Sequence, residues 1–497
     1  MTTDFLTGKK ILGILVCSLL FLSVFGSFIV NSAEPPINIP YINQNAQYDL
    51  LIISPVNFSD KLLPLKNHKE QHGLFTAIVT LNDIYTNTYF PVYGRDNQEK
   101  IKYFIKNAIE QWNICYVLLV GGKNEIPVRY SVIQPSNNGK YNWDFFSPDI
   151  CTISSEGFIS DLYYADIYDQ NDTFCSWDSN NNSVFGEIGF NDAIDDVDLY
   201  PDVFIGRILC QTPDEVETVV QKIMDYENHT FGEAWFTNII LCGGDTHPYT
   251  WEEILLSLAF KNITGMNYRL AWEGEYMGDQ VAKCLDTFTA KKLYSSGLLN
   301  IAAKRLTTKN INQAINDGAG FLLFSMHGLP TKIATFPPFN KKRRLQLPLP
   351  SGYDISEVQK LTNDDRLPVA VFGACSNGDF DTVSCPIAWE FVKHRTGGSI
   401  ASFALTSEGN IYPTTMYTES LTGHTIMSVF EAYADGIDCI GEIWAETIKR
   451  YLDDDIAWSI SEHLNSNGDS TNWLNFLALE EWILFGDPSL KIGGYPL

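Results

Sequence analysis

The chain has 497 residues and a formal net charge of −26 at pH 7, with 60 acidic against 34 basic side chains. Such a charge repels phosphate groups, so the composition argues against a nucleic acid as the partner. The hydrophobic fraction of 45% is that of a globular protein. The length exceeds what one hydrophobic core usually organises and predicts about two or three domains.

The N-terminus has the pattern of an export signal. Lys9 and Lys10 precede an uncharged apolar run of 20 residues, 11–30, and the small residue Ala33 follows. This pattern predicts a signal peptide over residues 1–33, and the length of the run leaves an uncleaved membrane anchor as the alternative. Both predict an exported protein, secreted or at the extracellular surface, with membrane contact only if the segment stays uncleaved. Export permits disulfides without fixing their pairing.

The first part of the exported chain alternates predicted strands and helices. Strands are predicted at 48–54, 74–81, 113–120 and 202–207, and helices at 60–72, 97–112 and 212–227. Thr212 to Glu215 form a capping box with proline at the first helical position. Residues 131–200 are rich in Asn, Asp and Ser and predict long loops. The alternation favours a parallel sheet, and we place its domain at residues 34–230.

A second alternating block follows. Strands are predicted at 238–242, 321–326, 369–374 and 399–405, and helices at 251–260, 310–317 and 386–394. The sequence therefore predicts an α/β protein with two adjacent parallel-sheet subdomains, the second over residues 231–497.

Two of these apolar runs end on residues capable of catalysis. The run 321–326 leads to His327, and the run 369–374 leads to Cys375. Short apolar runs of this kind are typical of buried parallel strands, whose carboxyl ends carry active sites. If the strands are neighbours, an imidazole and a thiol meet at one edge, as a cysteine hydrolase requires. The alternatives are a structural cysteine that packs as a small hydrophobe and a histidine that caps the sheet.

The residues that follow each run support catalysis. Gly328 allows a substrate carbonyl to approach the backbone, and its N–H and that of Cys375 are candidates for an oxyanion hole. The polar turn 376–379 predicts that the thiol faces a cleft, where backbone N–H groups would stabilise a thiolate.

These segments resemble the gingipain-type cysteine peptidases, of the same clan as caspases and legumains. The matching segments are Ser325-Met-His327-Gly328, Phe372-Gly-Ala-Cys375-Ser-Asn-Gly-Asp-Phe380, Ser160 to Tyr164, Asp202 to Arg207, and Phe485 to Leu490. The resemblance implies a caspase-like second subdomain and an endopeptidase acting on polypeptides. Cys375 would attack the carbonyl, Gly328 and Cys375 would hold the oxyanion, and His327 would protonate the leaving amine. We expect no immunoglobulin-like third domain after Leu490 and no large pro-domain.

The resemblance also implies acidic residues around the site. Asp245 follows the first strand of the second subdomain, where the family has an acid that orients the histidine. Glu252 and Glu253 lie near the place of an acid that binds a basic substrate side chain in arginine-specific members. The alternatives are a loop or helix N-cap for Asp245 and ordinary first-turn glutamates for the other two. A preference for a basic residue before the scissile bond is thus a hypothesis.

A calcium site is predicted in the acidic loops. Between Tyr141 and Asp202 the chain has 14 acidic residues and no Lys or Arg. Within this stretch the candidate Ca²⁺ ligands are Asp178, Asn180, Asn182 and Glu187. Ca²⁺ takes oxygen ligands, and gingipain-type enzymes bind it structurally. The alternative is a solvated Asn-rich turn.

Other functions fit the same sequence. The insert 329–360, with the basic run 341–344, is longer than in the gingipains. Three interpretations fit it: a solvated loop, a cover for the cleft, or a site at which the enzyme cleaves itself. A catalytically retired, calcium-dependent surface-binding protein and a peptide ligase that uses the same acyl-enzyme are the alternatives to an endopeptidase.

Overall fold

In the computed structural model the described residues are 47–132, 157–189, 194–246, 272–297, 302–336, 348, 352–411, 417–462 and 473–496. The strands are β1 (Leu50–Ser54), β2 (Thr76–Thr80), β3 (Tyr116–Val120), β4 (Tyr130–Ser131), β5 (Phe158–Ile159), β6 (Phe204–Ile208), β7 (Asn238–Gly243), β8 (Thr289–Tyr294), β9 (Lys304–Arg305), β10 (Phe321–Ser325), β11 (His327–Leu329), β12 (Lys332–Ala334), β13 (Tyr353–Asp354), β14 (Val369–Gly373), β15 (Ala401–Leu405) and β16 (Trp482–Phe485).

The helices surround these strands. They are α1 (Ser59–Gln71), α2 (Leu81–Tyr85), α3 (Asn97–Trp112), α4 (Pro213–His229), α5 (Glu273–Cys284), α6 (Thr308–Asn316), α7 (Ile355–Val358), α8 (Ile387–Lys393), α9 (Leu421–Ala434), α10 (Ile440–Leu452), α11 (Asp455–Glu462) and α12 (Trp473–Glu480).

Eleven described strands form one sheet in the order β2-β1-β3-β6-β16-β15-β14-β10-β7-β8-β9. The first four belong to the predicted first subdomain and the last seven to the second. β16 joins them, parallel to β6 and antiparallel to β15. The predicted α/β class with two adjacent parallel-sheet subdomains is confirmed, and β16 joins their strands into one continuous sheet. Residues 44–497 form one compact unit, and the boundary near residue 230 stays a prediction.

The sequence pattern explains why these elements form. Along α3 the apolar residues Ile101, Phe104 and Ile105 recur at helical spacing and are buried. The side chain of Asp96 accepts a hydrogen bond from the Glu99 N–H at the start of this helix. The predicted helix at 97–112 is therefore confirmed at both ends.

A buried ion cluster ties the two parts of the sheet together. The Lys69 ammonium of α1 lies 2.8 Å from Glu227 of α4 and 2.8 Å from Asp487, which follows β16. All three side chains are buried. Burial lowers the pKa of Lys69, but the charges of Asp487 and Glu227 outweigh it and raise that pKa above its usual value. The cluster therefore holds the C-terminal segment against α1 and α4.

Export and disulfides stay predictions. The signal segment 1–33 lies outside the described residues. In the part of the chain that the structure describes, no helix is long and apolar enough to cross a bilayer. The eight described cysteines, Cys375 among them, are free thiols.

Candidate active site

The strands that carry the predicted catalytic residues are neighbours. β10 and β14 pair in parallel, with Ser325 opposite Gly373 at their carboxyl ends. His327 and Cys375 each come two residues later, so both leave the sheet at the same edge. The condition on which the sequence argument depended is therefore met.

A hairpin brings Gly328 onto the cysteine loop. β11 and β12 pair around a two-residue turn, with Leu329 opposite Lys332 and Gly328 opposite Ile333. In such a ladder the pair next to the turn exchanges hydrogen bonds and the following pair does not, so the Gly328 N–H points away from β12. A Cβ atom on Gly328 would lie 2.1 Å from the carbonyl oxygen of Cys375. The two predicted oxyanion residues are thus packed backbone against backbone.

The histidine is oriented by a backbone carbonyl. Nε2 of the half-buried His327 lies 2.7 Å from the carbonyl oxygen of Thr246. A carbonyl only accepts, so Nε2 carries the proton in this contact. Thr246 is held in turn by the buried carboxylate of Glu273, which accepts its N–H at 2.9 Å and also its hydroxyl.

Asp245, the predicted orienter, precedes this threonine. Its side chain is buried, and its backbone carbonyl accepts hydrogen bonds from the Phe336 N–H at 3.2 Å and the Thr335 hydroxyl at 2.8 Å. Phe336 packs edge-on against the imidazole of His327, with ring centroids 5.6 Å apart. Asp245 therefore lies in the segment that orients His327, and the role of its carboxylate stays a prediction.

The surroundings of Cys375 raise the pKa of its thiol. Burial, with the negative charges of Glu408 and Glu481, raises the pKa of the Cys375 thiol to about 12. The thiol donates to the carbonyl of Gly409 across 3.7 Å. These surroundings favour the neutral thiol, whereas the polar turn had predicted backbone N–H groups that would stabilise a thiolate. Ser376, the next residue, has a φ of 56°, which turns the chain sharply away from the strand.

Glu481 reaches the cysteine side of the site from β16. Its backbone carbonyl accepts the Thr406 N–H at 2.8 Å, and the Ser376 N–H donates to Ser407 at 2.7 Å, so both segments meet at the end of β15. The Glu481 side chain is fully buried, and neither carboxyl oxygen has a hydrogen-bond partner among the described residues. Burial and the charge of Glu408 raise the pKa of Glu481 well above its usual value.

Two of the other predicted features of the site lie outside the part of the chain that the structure describes. Glu252 and Glu253 lie outside the described residues, as does the basic run 341–344. The two described ends of the insert are antiparallel neighbours, because β12 pairs with β13. The insert therefore starts and finishes beside the histidine hairpin.

The predicted calcium residues share one loop, but their contacts do not fit a cation site. The Asp178 carboxylate lies 2.5 Å from the guanidinium of Arg95. The amide N–H groups of Asn180 and Asn182 donate to Glu187 at 2.9 and 2.6 Å, so their nitrogens rather than their oxygens face the carboxylate. Among the described residues, no three His, Cys, Asp or Glu side chains form a group that could hold a metal ion. Calcium binding stays a prediction.

Sequence reasoning missed three of the residues that build this site. Thr246 acts through its backbone, for which residue type gives no signal. Glu481 stands in the apolar run 473–485, and a charge in such a run is a signal of a buried functional group. Asn377 was included only as part of a polar turn.

A thiol and an imidazole at neighbouring strand ends of a parallel α/β sheet define a site of the cysteine-hydrolase type. Known sequences agree. The sequence model of Peptidase family C25 matches residues 43–493. The chain belongs to peptidase family C25, and its resemblance to the gingipain-type peptidases is confirmed.

Individual relatives are distant. Gingipain R2 of Porphyromonas gingivalis strain ATCC BAA-308 / W83 is 23% identical over 458 residues, which cover 89% of this chain and 46% of the relative. Gingipain R1 of Porphyromonas gingivalis is 22% identical over 457 residues, which cover 89% of this chain and 34% of the relative. The chain thus spans less than half the length of these curated relatives.

Solved structures agree on the fold. The crystal structure of the Arg specific cysteine proteinase gingipain R (RgpB) superposes with a TM-score of 0.56 at 19% identity, over 92% of this chain and 80% of that one. The complex of Porphyromonas gingivalis RgpB pro- and mature domains also gives 0.56, at 18% identity, over 89% of this chain and 79% of that one. At this identity the likeness confirms the fold.

Proposed function

We propose that the protein is an exported cysteine endopeptidase that cleaves polypeptides with Cys375 as its nucleophile. The observation that carries the proposal is the pairing of β10 with β14, which delivers His327 and Cys375 to one edge of the sheet. Membership of peptidase family C25 supports the same chemistry. The basic pair and apolar run within residues 1–33 support export.

The reaction follows from the groups at this edge. The Cys375 sulfur adds to the peptide carbonyl, and the N–H groups of Gly328 and Cys375 hold the developing oxyanion. Each such donor contributes about 10²–10³ in rate. Because the pKa of the thiol is raised, its proton leaves as the S–C bond forms rather than beforehand.

His327 manages the proton. With the ring oriented by the Thr246 carbonyl, the imidazole takes up the thiol proton and passes it to the leaving amine when the C–N bond breaks. Water then attacks the thioester, releases the acid and regenerates the thiol.

We further propose a preference for a basic residue before the scissile bond. The support is electrostatic: the carboxyl groups of Glu408 and Glu481 act on Cys375, and Glu481 is fully buried, where water screens charge weakly. A cationic substrate side chain placed beside these carboxyl groups would favour their ionised form. Glu252 and Glu253 remain further candidates for the same role.

Labelling tests the nucleophile. A thiol-directed peptidyl ketone is expected to modify wild-type protein at Cys375 and to leave Cys375→Ala unmodified, as read by peptide mass spectrometry. Cys385→Ala is the matched control, because Cys385 is also a partly exposed free thiol. Failure of a panel of such probes, with and without Ca²⁺, to label Cys375 would overturn the peptidase proposal.

Cleavage of a peptide library tests the preference. We expect cleavage after Arg or Lys, and a selective loss of kcat/KM for these substrates in Glu481→Gln. Glu480→Gln is the matched control, since the adjacent and equally buried Glu480 accepts instead from Ser131. Cleavage after neutral residues that Glu481→Gln does not affect would contradict the preference for a basic residue. It would not contradict the assignment of Cys375 as the nucleophile.

A further inference from the structure

Asn377 links the two catalytic loops through its side chain. It lies two residues after Cys375 and is fully buried. Its Nδ2 donates to the carbonyl of Leu329 at 2.7 Å and to that of Lys332 at 3.3 Å. These two residues flank the turn of the hairpin that carries His327 and Gly328. One carboxamide thus connects the cysteine loop to the histidine hairpin.

The same carboxamide lies against Gly328. A Cβ atom on Gly328 would come within 2.9 Å of Asn377 Nδ2, besides its clash with the Cys375 carbonyl. The backbone of Gly328 is therefore enclosed between Cys375 and Asn377. The carboxamide therefore contacts the backbone segment that carries the Gly328 N–H.

The chemistry of the contact requires an amide. Both partners are carbonyl oxygens, which only accept, so the side chain must present two N–H donors from one atom. An aspartate of the same shape would place a carboxylate against two carbonyls. The buried Oδ1 of Asn377 has no hydrogen-bond partner among the described residues, which is a cost to stability. An orphaned acceptor of this kind is typical of a residue kept for a site rather than for the fold.

We propose that Asn377 is a positioning residue that sets the oxyanion hole by fixing the Gly328 N–H relative to the Cys375 N–H. The inference rests on the proposed function, because it concerns the acyl-transfer step. A misplacement of about 1 Å in such a site costs on the order of 10²-fold in rate.

Two reactions of the same sulfur separate positioning from folding. Acylation by a peptide thioester or ester requires the oxyanion hole, whereas alkylation of Cys375 by iodoacetamide does not. In Asn377→Ala we expect the single-turnover acylation rate to fall on the order of 10²-fold, with the alkylation rate at the wild-type value. Asn377→Asp is expected to acylate more slowly still. Asn377→Ser, whose shorter side chain can donate at most one hydrogen bond, is expected to fall between Asn377→Ala and wild type.

Asn363→Ala is the matched control. Asn363 is also fully buried, and its Nδ2 donates to the carbonyls of Arg366 and Gly398 at 2.9 and 3.0 Å. It precedes β14, at the end of the strand opposite Cys375, so this variant should lose stability and keep its acylation rate.

The outcomes are distinct. Equal acylation by Asn377→Ala and Asn363→Ala at matched melting temperatures would overturn the inference. A parallel fall of acylation and alkylation in the Asn377 variants would also overturn it, because this indicates general disorder. A wild-type protein that alkylates but never acylates contradicts the proposed function itself, and this inference falls with it.

Discussion

Replacing Gly328 by alanine tests the backbone contact on which the site depends. The added Cβ would lie 2.1 Å from the Cys375 carbonyl oxygen and 2.9 Å from the Ala374 carbonyl carbon. Non-bonded heavy atoms prefer separations of about 3.5 Å, so the hairpin and the cysteine loop must part by more than about 1 Å. A displacement of about 1 Å costs on the order of 10²-fold in rate, equivalent to about 2.7 kcal/mol in the barrier.

The assay compares kcat/KM for a cleaved peptide with the iodoacetamide alkylation rate of Cys375 and with thermal melting. We expect Gly328→Ala to lose on the order of 10²-fold in kcat/KM while it remains folded. Gly122→Ala is the control, because there the added Cβ meets the end of the flexible Glu125 side chain at 3.1 Å and Leu209 at an ordinary contact distance of 3.7 Å. Wild-type kcat/KM in folded Gly328→Ala would refute the backbone-contact argument.

Two further predictions concern buried acids. Glu227→Gln removes one of the two carboxylates that neutralise buried Lys69, and we expect the free energy of unfolding in urea to fall by about 3–5 kcal/mol. Glu217→Gln, at an exposed position, serves as the control. Equal losses of stability in the two variants would refute the assigned role of the ion cluster. Burial raises the pKa of Glu480 to about 8 from its usual 4.5, so the folded state holds a proton that the unfolded chain loses, and wild-type stability falls as pH rises between these values. Glu480→Gln keeps an acceptor for the Ser131 hydroxyl, so the melting temperature of this variant should decrease less than that of the wild type between pH 5 and 8.5. The same pH dependence in both proteins would contradict the raised pKa of Glu480.

Local elements were readable from the sequence because their signals are local. The spacing of apolar residues and the Asp N-cap indicate the helix at 97–112. A short apolar run indicates the strand before Cys375. The joining strand β16 is also a short apolar run, but that signal does not tell where the strand lies in the sheet. Its place between β6 and β15 depends on partners hundreds of residues away, which no local pattern encodes.

The properties of the active site also divide into those that residue type indicates and those that depend on tertiary contacts. Residue type singled out His327, Gly328 and Cys375, because only a few side chains do nucleophilic or proton-transfer chemistry. The orienting contact of His327 comes from a backbone carbonyl, and any residue at position 246 could supply it. The raised pKa of Cys375 could not be read from the sequence, because it depends on burial and on Glu481, 106 positions further along the chain.

The sequence by itself determined the α/β class, the two strand ends and the residues that carry the chemistry, because apolar spacing and residue type act over a few positions. Only the tertiary structure decided that β10 and β14 are neighbours, that Asn377 holds the Gly328 hairpin, and that acidic side chains surround the thiol. These properties arise from packing between segments distant in the chain, and packing sets the distances, the burial and the electrostatic field on which catalysis depends.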